Sequence, residues 1–149
     1  DAGVAADMAA RGTYLVSTLA VMRSWLSFGA TTAIPTFTGG QATYATRLEA
    51  ASASLRVARD AGVAICAGTD FGGGSLRANQ LAWEVESQVT AGLTPQQALA
   101  AATWRGGELL GEPDAGVIRE GGPADFFLVH GDPLSDPTAL WRVWRLAWA

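Results

Sequence analysis

The sequence has no lysine, one cysteine and one histidine in 149 residues. With Cys66 alone an internal disulfide is impossible, so nothing asks for an oxidising compartment and the cytoplasm is the expected location. One histidine and one cysteine cannot assemble a usual zinc site, and a Ser-His-Asp arrangement would rest on the unsupported His130. The ten Lys and Arg residues are all arginine and face fourteen Asp and Glu, for a net charge of −4 without any basic cluster. Neither a nucleic-acid surface nor an anionic membrane surface is therefore expected. No apolar run is long enough to span a bilayer. An initiator methionine and a charged-then-apolar leader are also lacking, and the opening Asp1-Ala2-Gly3-Val4 fits a processed or truncated piece. There is no internal repeat, and no low-complexity tract beyond alanine-rich helix faces.

What is present is apolar material for a substantial core, with 49% hydrophobic residues and a mean hydropathy of +0.18. Val4, Ala5, Met8 and Ala9 share one face of a short helix over residues 2–11, stopped by Gly12. Residues 13–19 are β-formers around an apolar centre and predict a strand. Residues 20–40, with Trp25, Phe28, Pro35, Phe37 and Gly39-Gly40, predict a partly helical excursion over the surface. Tyr44, Leu48, Ala51, Leu55 and Ala58 recur at helical spacing up to Gly62, and a strand over 63–67 comes next. A helix over 78–91 carries Leu81, Val85 and Val89 on one side and stops at Gly92. Thr94-Pro95-Gln96-Gln97 is a helix N-terminus, with Thr94 as cap and Gln97 completing a capping box. That helix is expected to run to Leu109 or Leu110 with a bend at Gly106-Gly107. After Gly111 the pattern turns to short strands, at 116–118, 124–129 and 140–148.

One stretch draws the chemistry. Gly62-Val63-Ala64-Ile65-Cys66-Ala67-Gly68-Thr69-Asp70 reads as a buried strand ending in a carboxylate, which opens into Phe71-Gly72-Gly73-Gly74 before a helix. In parallel α/β architectures ligands collect at the carboxyl ends of strands, so Asp70 is the first residue to suspect. An aspartate before glycines is equally at home in an Asx turn, and spacing alone does not separate the two readings. Asp70-Phe71-Gly72 matches the kinase metal tripeptide, but no His-Arg-Asp loop, Ala-Pro-Glu or strand lysine accompanies it. The triple glycine lacks the flanking residues of a phosphate loop. His130 reads as an edge or turn residue and Cys66 as a small core hydrophobe. Trp25, Trp83, Trp104, Trp141, Trp144 and Trp148 read as core and interface material.

Four ordered stretches together resemble the C-terminal part of the amidohydrolase superfamily, in particular its imidazolonepropionase-like and prolidase-like branches. Met8-Ala9-Ala10-Arg11-Gly12-Thr13-Tyr14-Leu15-Val16-Ser17-Thr18-Leu19 is similar to the helix and seventh barrel strand. The run from Gly62 to Asp70 is similar to strand eight with its terminal aspartate. Ala91-Gly92-Leu93-Thr94-Pro95-Gln96-Gln97-Ala98-Leu99-Ala100-Ala101-Ala102-Thr103 resembles the family's helix in the most specific match of the four. Gly116-Val117-Ile118-Arg119-Glu120-Gly121-Gly122-Pro123-Ala124-Asp125-Phe126-Phe127-Leu128-Val129, with Gly131-Asp132-Pro133-Leu134, resembles the return into a small β-sandwich. Gly122 stands where the family usually has lysine, and His130 where it often has aspartate.

The resemblance implies an α/β fold: strands 7 and 8 of a TIM-like (β/α)₈ barrel with their helices over residues 1–111, and part of a β-sandwich over 112–149. A whole barrel takes about 250 residues. It further implies a metal-dependent hydrolase acting on C–N bonds of a cyclic amide, dipeptide or similar small molecule. Asp70 would be both ligand to a divalent metal, zinc by expectation, and the carrier that moves a proton from the metal-activated water to the leaving nitrogen. The family's remaining ligands, two histidines on strand one, a carboxylated lysine or equivalent on strand four and histidines on strands five and six, have no counterparts here. The implied partners are a small-molecule substrate and the N-terminal part of the same polypeptide, with a homo-oligomer among the expected assemblies. The chain alone is expected to be inactive, and to self-associate through apolar faces and open sheet edges. The rival is a non-catalytic α/β module, or degraded relative, in which Asp70 is a turn residue. Deaminase and isomerase relatives share the fold, and fold analogy does not choose among them.

Overall fold

The computed structural model describes residues 1–31, 41–72, 76 and 80–148. Helix α1 (Ala2–Ala10) starts where the Asp1 carboxylate accepts the Val4 N–H at 3.0 Å. Beyond its end, Gly12 takes φ +64, a conformation that a side chain disfavours. Strand β1 (Tyr14–Ser17) comes next, then α2 (Leu19–Thr31), α3 (Gln41–Asp60) and β2 (Ala64–Ala67). The chain continues through α4 (Leu81–Ala91), closed by left-handed Gly92, α5 (Pro95–Ala101) and α6 (Trp104–Leu110). It ends in β3 (Phe126–Val129), a 3₁₀ turn (Pro137–Trp141) and β4 (Val143–Ala147).

β1 and β2 pair in parallel, from Tyr14 opposite Ala64 to Ser17 opposite Ala67, with α2 and α3 on the connection between them. Leu15, Ile65 and Ala67 point into a core with Leu19, Leu55, Val85 and Leu93, which α5 extends with Ala98 and Ala101. A second cluster of Ala5, Ala58 and Val63 fixes α1 and α3 beneath the start of β2. Burying a side chain such as Leu55, 1% exposed, contributes about 1.5–3 kcal/mol. On the alternate parity Val16 remains 45% exposed, so part of that sheet face carries no cover among the described residues.

β3 and β4 form an antiparallel pair whose register slips between Leu128 and Val129. The 3₁₀ turn docks this tail on the core: Ala139 is buried, Leu140 packs against the main cluster, and the Trp141 indole N–H donates to Glu86 of α4.

Several expectations need correction. Residues 20–31 are not a surface excursion but the body of α2, with Leu19, Ala20, Val21 and Ser24 buried; Pro35, Phe37, Gly39 and Gly40 lie outside the described residues. The strand expected over 13–19 stops at Ser17, because Leu19 already opens α2. The helix expected to run from Pro95 to about Leu110 breaks at Ala102–Thr103, not at the glycines. Gly107 lies inside α6, where a Cβ would sit 2.5 Å from the Ala115 carbonyl oxygen; the glycine serves close backbone approach. Residues 116–118 form no strand, since Gly116 turns at φ +73 with its Cα against the Thr103–Trp104 peptide.

Candidate functional site

Both parallel strands end at the same level, and the candidate site lies in the turns just past their carboxyl ends. After Ala67 the chain stays beside β1 because Gly68 donates its N–H to the Ser17 carbonyl at 2.8 Å. Only glycine fits easily there, since a Cβ would meet Val16 Cγ1 at 2.7 Å. Two residues on, Asp70 is exposed and adopts φ +51, the only non-glycine residue at positive φ among those described. Aspartate tolerates this left-handed region better than most residues, at a cost of about 1–2 kcal/mol. Such outliers cluster at functional sites. The carboxylate accepts no hydrogen bond from any described residue, including the N–H groups of Phe71 and Gly72; Gly73, Gly74 and Ala78 lie outside the described residues. Gly72 instead donates to the Leu76 carbonyl at 3.3 Å.

Behind the strand ends lies a buried polar group that sequence reasoning missed. Glu84 of α4 is 0% exposed and accepts from Ser17 Oγ at 2.7 Å and from the Ala20 N–H at 2.6 Å. One carboxylate thereby holds the end of β1 and neutralises the amino end of α2. Burial pushes the Glu84 carboxyl up, opposed by its bonds from Ser17, Ala20 and Leu19 and by the charge of Arg23. One turn further along α4, Gln88 is also fully buried; its Nε2 donates to Ser17 Oγ at 2.8 Å and to the Cys66 carbonyl at 3.4 Å. Gln88 Oε1 has no partner among the described residues. Glu84, Val85, Gln88 and Ala91 share the buried face of α4, whereas Leu81, which the aliphatic spacing puts on that face, is exposed, so the periodicity alone does not reveal the polar pair.

His130 is exposed on the tail, its ring stacked on Trp144 at 5.7 Å and its N–H bonded to the Arg142 carbonyl. Cys66 is buried, its thiol donates to the Arg105 carbonyl at 3.3 Å, and burial holds it above its ordinary pKa. Neither forms a hydrogen bond or ring contact with Asp70, and no cluster of three or more His, Cys, Asp and Glu suited to a metal occurs among the described residues. No described helix is long and apolar enough to cross a membrane.

A parallel strand pair flanked by helices, with an acid beyond one carboxyl end, defines an α/β protein. The chain belongs to the amidohydrolase family, whose model matches residues 3–144. Among solved structures it is similar to an amidohydrolase, at 28% identity and TM-score 0.78 over 99% of this chain and 37% of that one. It is also similar to a prolidase complexed with N-methylphosphonate-L-proline, at 25% identity and TM-score 0.79 over 99% and 36%. A Xaa-Pro dipeptidase with bound methionine in the active site matches at 26% identity and TM-score 0.77 over 95% and 34%. The chain thus spans about a third of the length of these structures. No curated protein matches.

Proposed function

We propose that this chain supplies the strand-eight end of a barrel hydrolase that cleaves a C–N bond in a small molecule, with Asp70 moving the proton. The observation that carries the reading is Asp70 itself, exposed and left-handed just past the carboxyl end of β2, in a chain of the amidohydrolase family. In this reading β1 and β2 are the last two barrel strands, and residues 112–149 belong to the adjoining sandwich. A dipeptide ending in proline is the first substrate class to assay, because a prolidase and a Xaa-Pro dipeptidase are among the similar structures.

The family's chemistry calls for a divalent metal, whose contribution is to make a bound water acidic. The described residues do not fit such an ion by themselves: a single carboxylate is not a ligand set. In this reading the other donors belong to a longer polypeptide. The Asp70 carboxylate has no partner among the described residues competing for its lone pairs, so it can accept a proton from an attacking water and return it to the departing nitrogen. Next to Asp70, a Cβ at Gly72 would meet no described atom within 4 Å, which leaves space for a substrate on that side.

The test is hydrolysis of a panel of Xaa-Pro dipeptides and cyclic amides by the complete polypeptide and by the 149-residue chain alone. The expected result is turnover by the first and none by the second. Activity in the isolated chain, or none in the complete polypeptide across the panel, overturns the reading.

A further inference from the structure

We propose that Glu84, acting with Gln88 through Ser17, is a positioning residue that fixes the Gly68–Asp70 segment. The proposal rests on the reading of Asp70 given above and adds the device that aims it. The chain of contacts is continuous. Glu84 accepts from Ser17 Oγ and the Ala20 N–H, Gln88 Nε2 donates to the same hydroxyl and to the Cys66 carbonyl, and the Ser17 carbonyl accepts from Gly68 N–H at 2.8 Å. Two side chains one turn apart on α4 therefore grip the ends of both parallel strands, and the grip reaches the backbone two residues before Asp70.

Simple core packing does not require this arrangement. A fully buried carboxylate in a helix face is costly, and an isosteric apolar residue would fill the same volume without that cost. A carboxylate does something an apolar residue cannot. It locks the Ser17 hydroxyl in one orientation while capping α2, so the β1 end, the α2 start and the turn after β2 become one hydrogen-bonded unit. Fixing Asp70 matters because its φ of +51 is intrinsically disfavoured and would relax if its flanking backbone were loose.

The experiment uses the complete polypeptide with Glu84→Gln, Glu84→Ala and Ser17→Ala, and Thr94→Ala as a variant that loosens α5 away from the strand ends. Glu84→Gln guards against failure of the alanine variant to fold. Amide exchange at Gly68 and across residues 67–72 should quicken about tenfold, the equivalent of one lost hydrogen bond, while α1 and α3 keep their protection. Turnover of the best dipeptide of the panel should fall about 10- to 100-fold in kcat with KM little changed. Exchange at Gly68 no different from that of Thr94→Ala overturns the proposal and leaves Glu84 a packed core residue. A Glu84→Gln enzyme with unaltered kcat but quickened exchange overturns the positioning role and retains only the clamp. If Asp70→Asn keeps wild-type turnover, it is the reading of Asp70 that fails, and the exchange measurement still decides whether Glu84 holds the segment.

Discussion

Gly68→Ala probes the junction between fold and site. A methyl at this position would lie 2.7 Å from Val16 Cγ1 and 3.4 Å from both the Ser17 carbonyl oxygen and Thr18 Cγ2. The last two are ordinary contacts, so the clash is with Val16 alone. Val16 is 45% exposed and can turn toward open space, at the cost of leaving its preferred χ1 well. Overpacking costs about 1–3 kcal/mol, and the freedom of Val16 puts this case at the low end, about 1 kcal/mol. Removing the obstacle should remove the penalty, so Val16→Ala with Gly68→Ala should be less destabilised than the sum of the singles by about 0.5–1 kcal/mol. Urea unfolding monitored by tryptophan fluorescence gives the four free energies of the cycle. A Gly68→Ala loss well above about 3 kcal/mol, or perfect additivity with Val16→Ala, would refute the steric account of this glycine.

Three further outcomes are expected. Because burial raises the Glu84 carboxyl above its ordinary value of 4.5, the folded protein retains that proton where the unfolded chain has lost it. Glu84 accordingly favours folding most below 4.5, and that contribution falls as pH rises through the raised folded value. The Tm difference between wild type and Glu84→Gln, measured from about pH 4 to about pH 8, should move toward the variant, and a flat difference contradicts the buried carboxylate. Thr94→Ala breaks a complete capping box with Gln97 and should cost about 1 kcal/mol in urea unfolding; no loss would mean that α5 is held by packing alone. The tail exposes Phe127 at 44%, Trp144 at 53% and Leu146 at 67%, so the isolated 149-residue chain should self-associate in sedimentation velocity. A monodisperse, cooperatively melting monomer contradicts that expectation.

What could be read from the sequence divides along a physical line. The stops at Gly12, Gly62 and Gly92 were legible because a positive φ after a helix has essentially one residue that suits it, and all three adopt one. The Thr94 capping box was legible because its partners are three residues apart. The boundary between β1 and α2 was not, because the group holding the amino end of α2 is Glu84, 64 residues downstream. The break before Trp104 was hidden for a similar reason: Gly107 and Gly116 are glycines to admit distant backbone, whereas their neighbours in sequence suggest a bend at the first and a strand start at the second. The position of Asp70 just past the end of β2 was legible from the apolar run before it, whereas Glu84 and Gln88 were hidden in a helix whose periodicity is carried by its aliphatic residues. A buried polar pair is recognised by its partners, and those are tertiary.

The central claim is that Asp70 moves the proton. Asp70→Asn keeps the size and the tolerance of a left-handed backbone but cannot take up a proton at neutral pH, so the complete polypeptide should fold and melt as before. Its kcat on the best substrate of the panel should fall about 10²- to 10⁴-fold. An Asp70→Asn enzyme that folds normally and turns over at the wild-type rate would contradict the account.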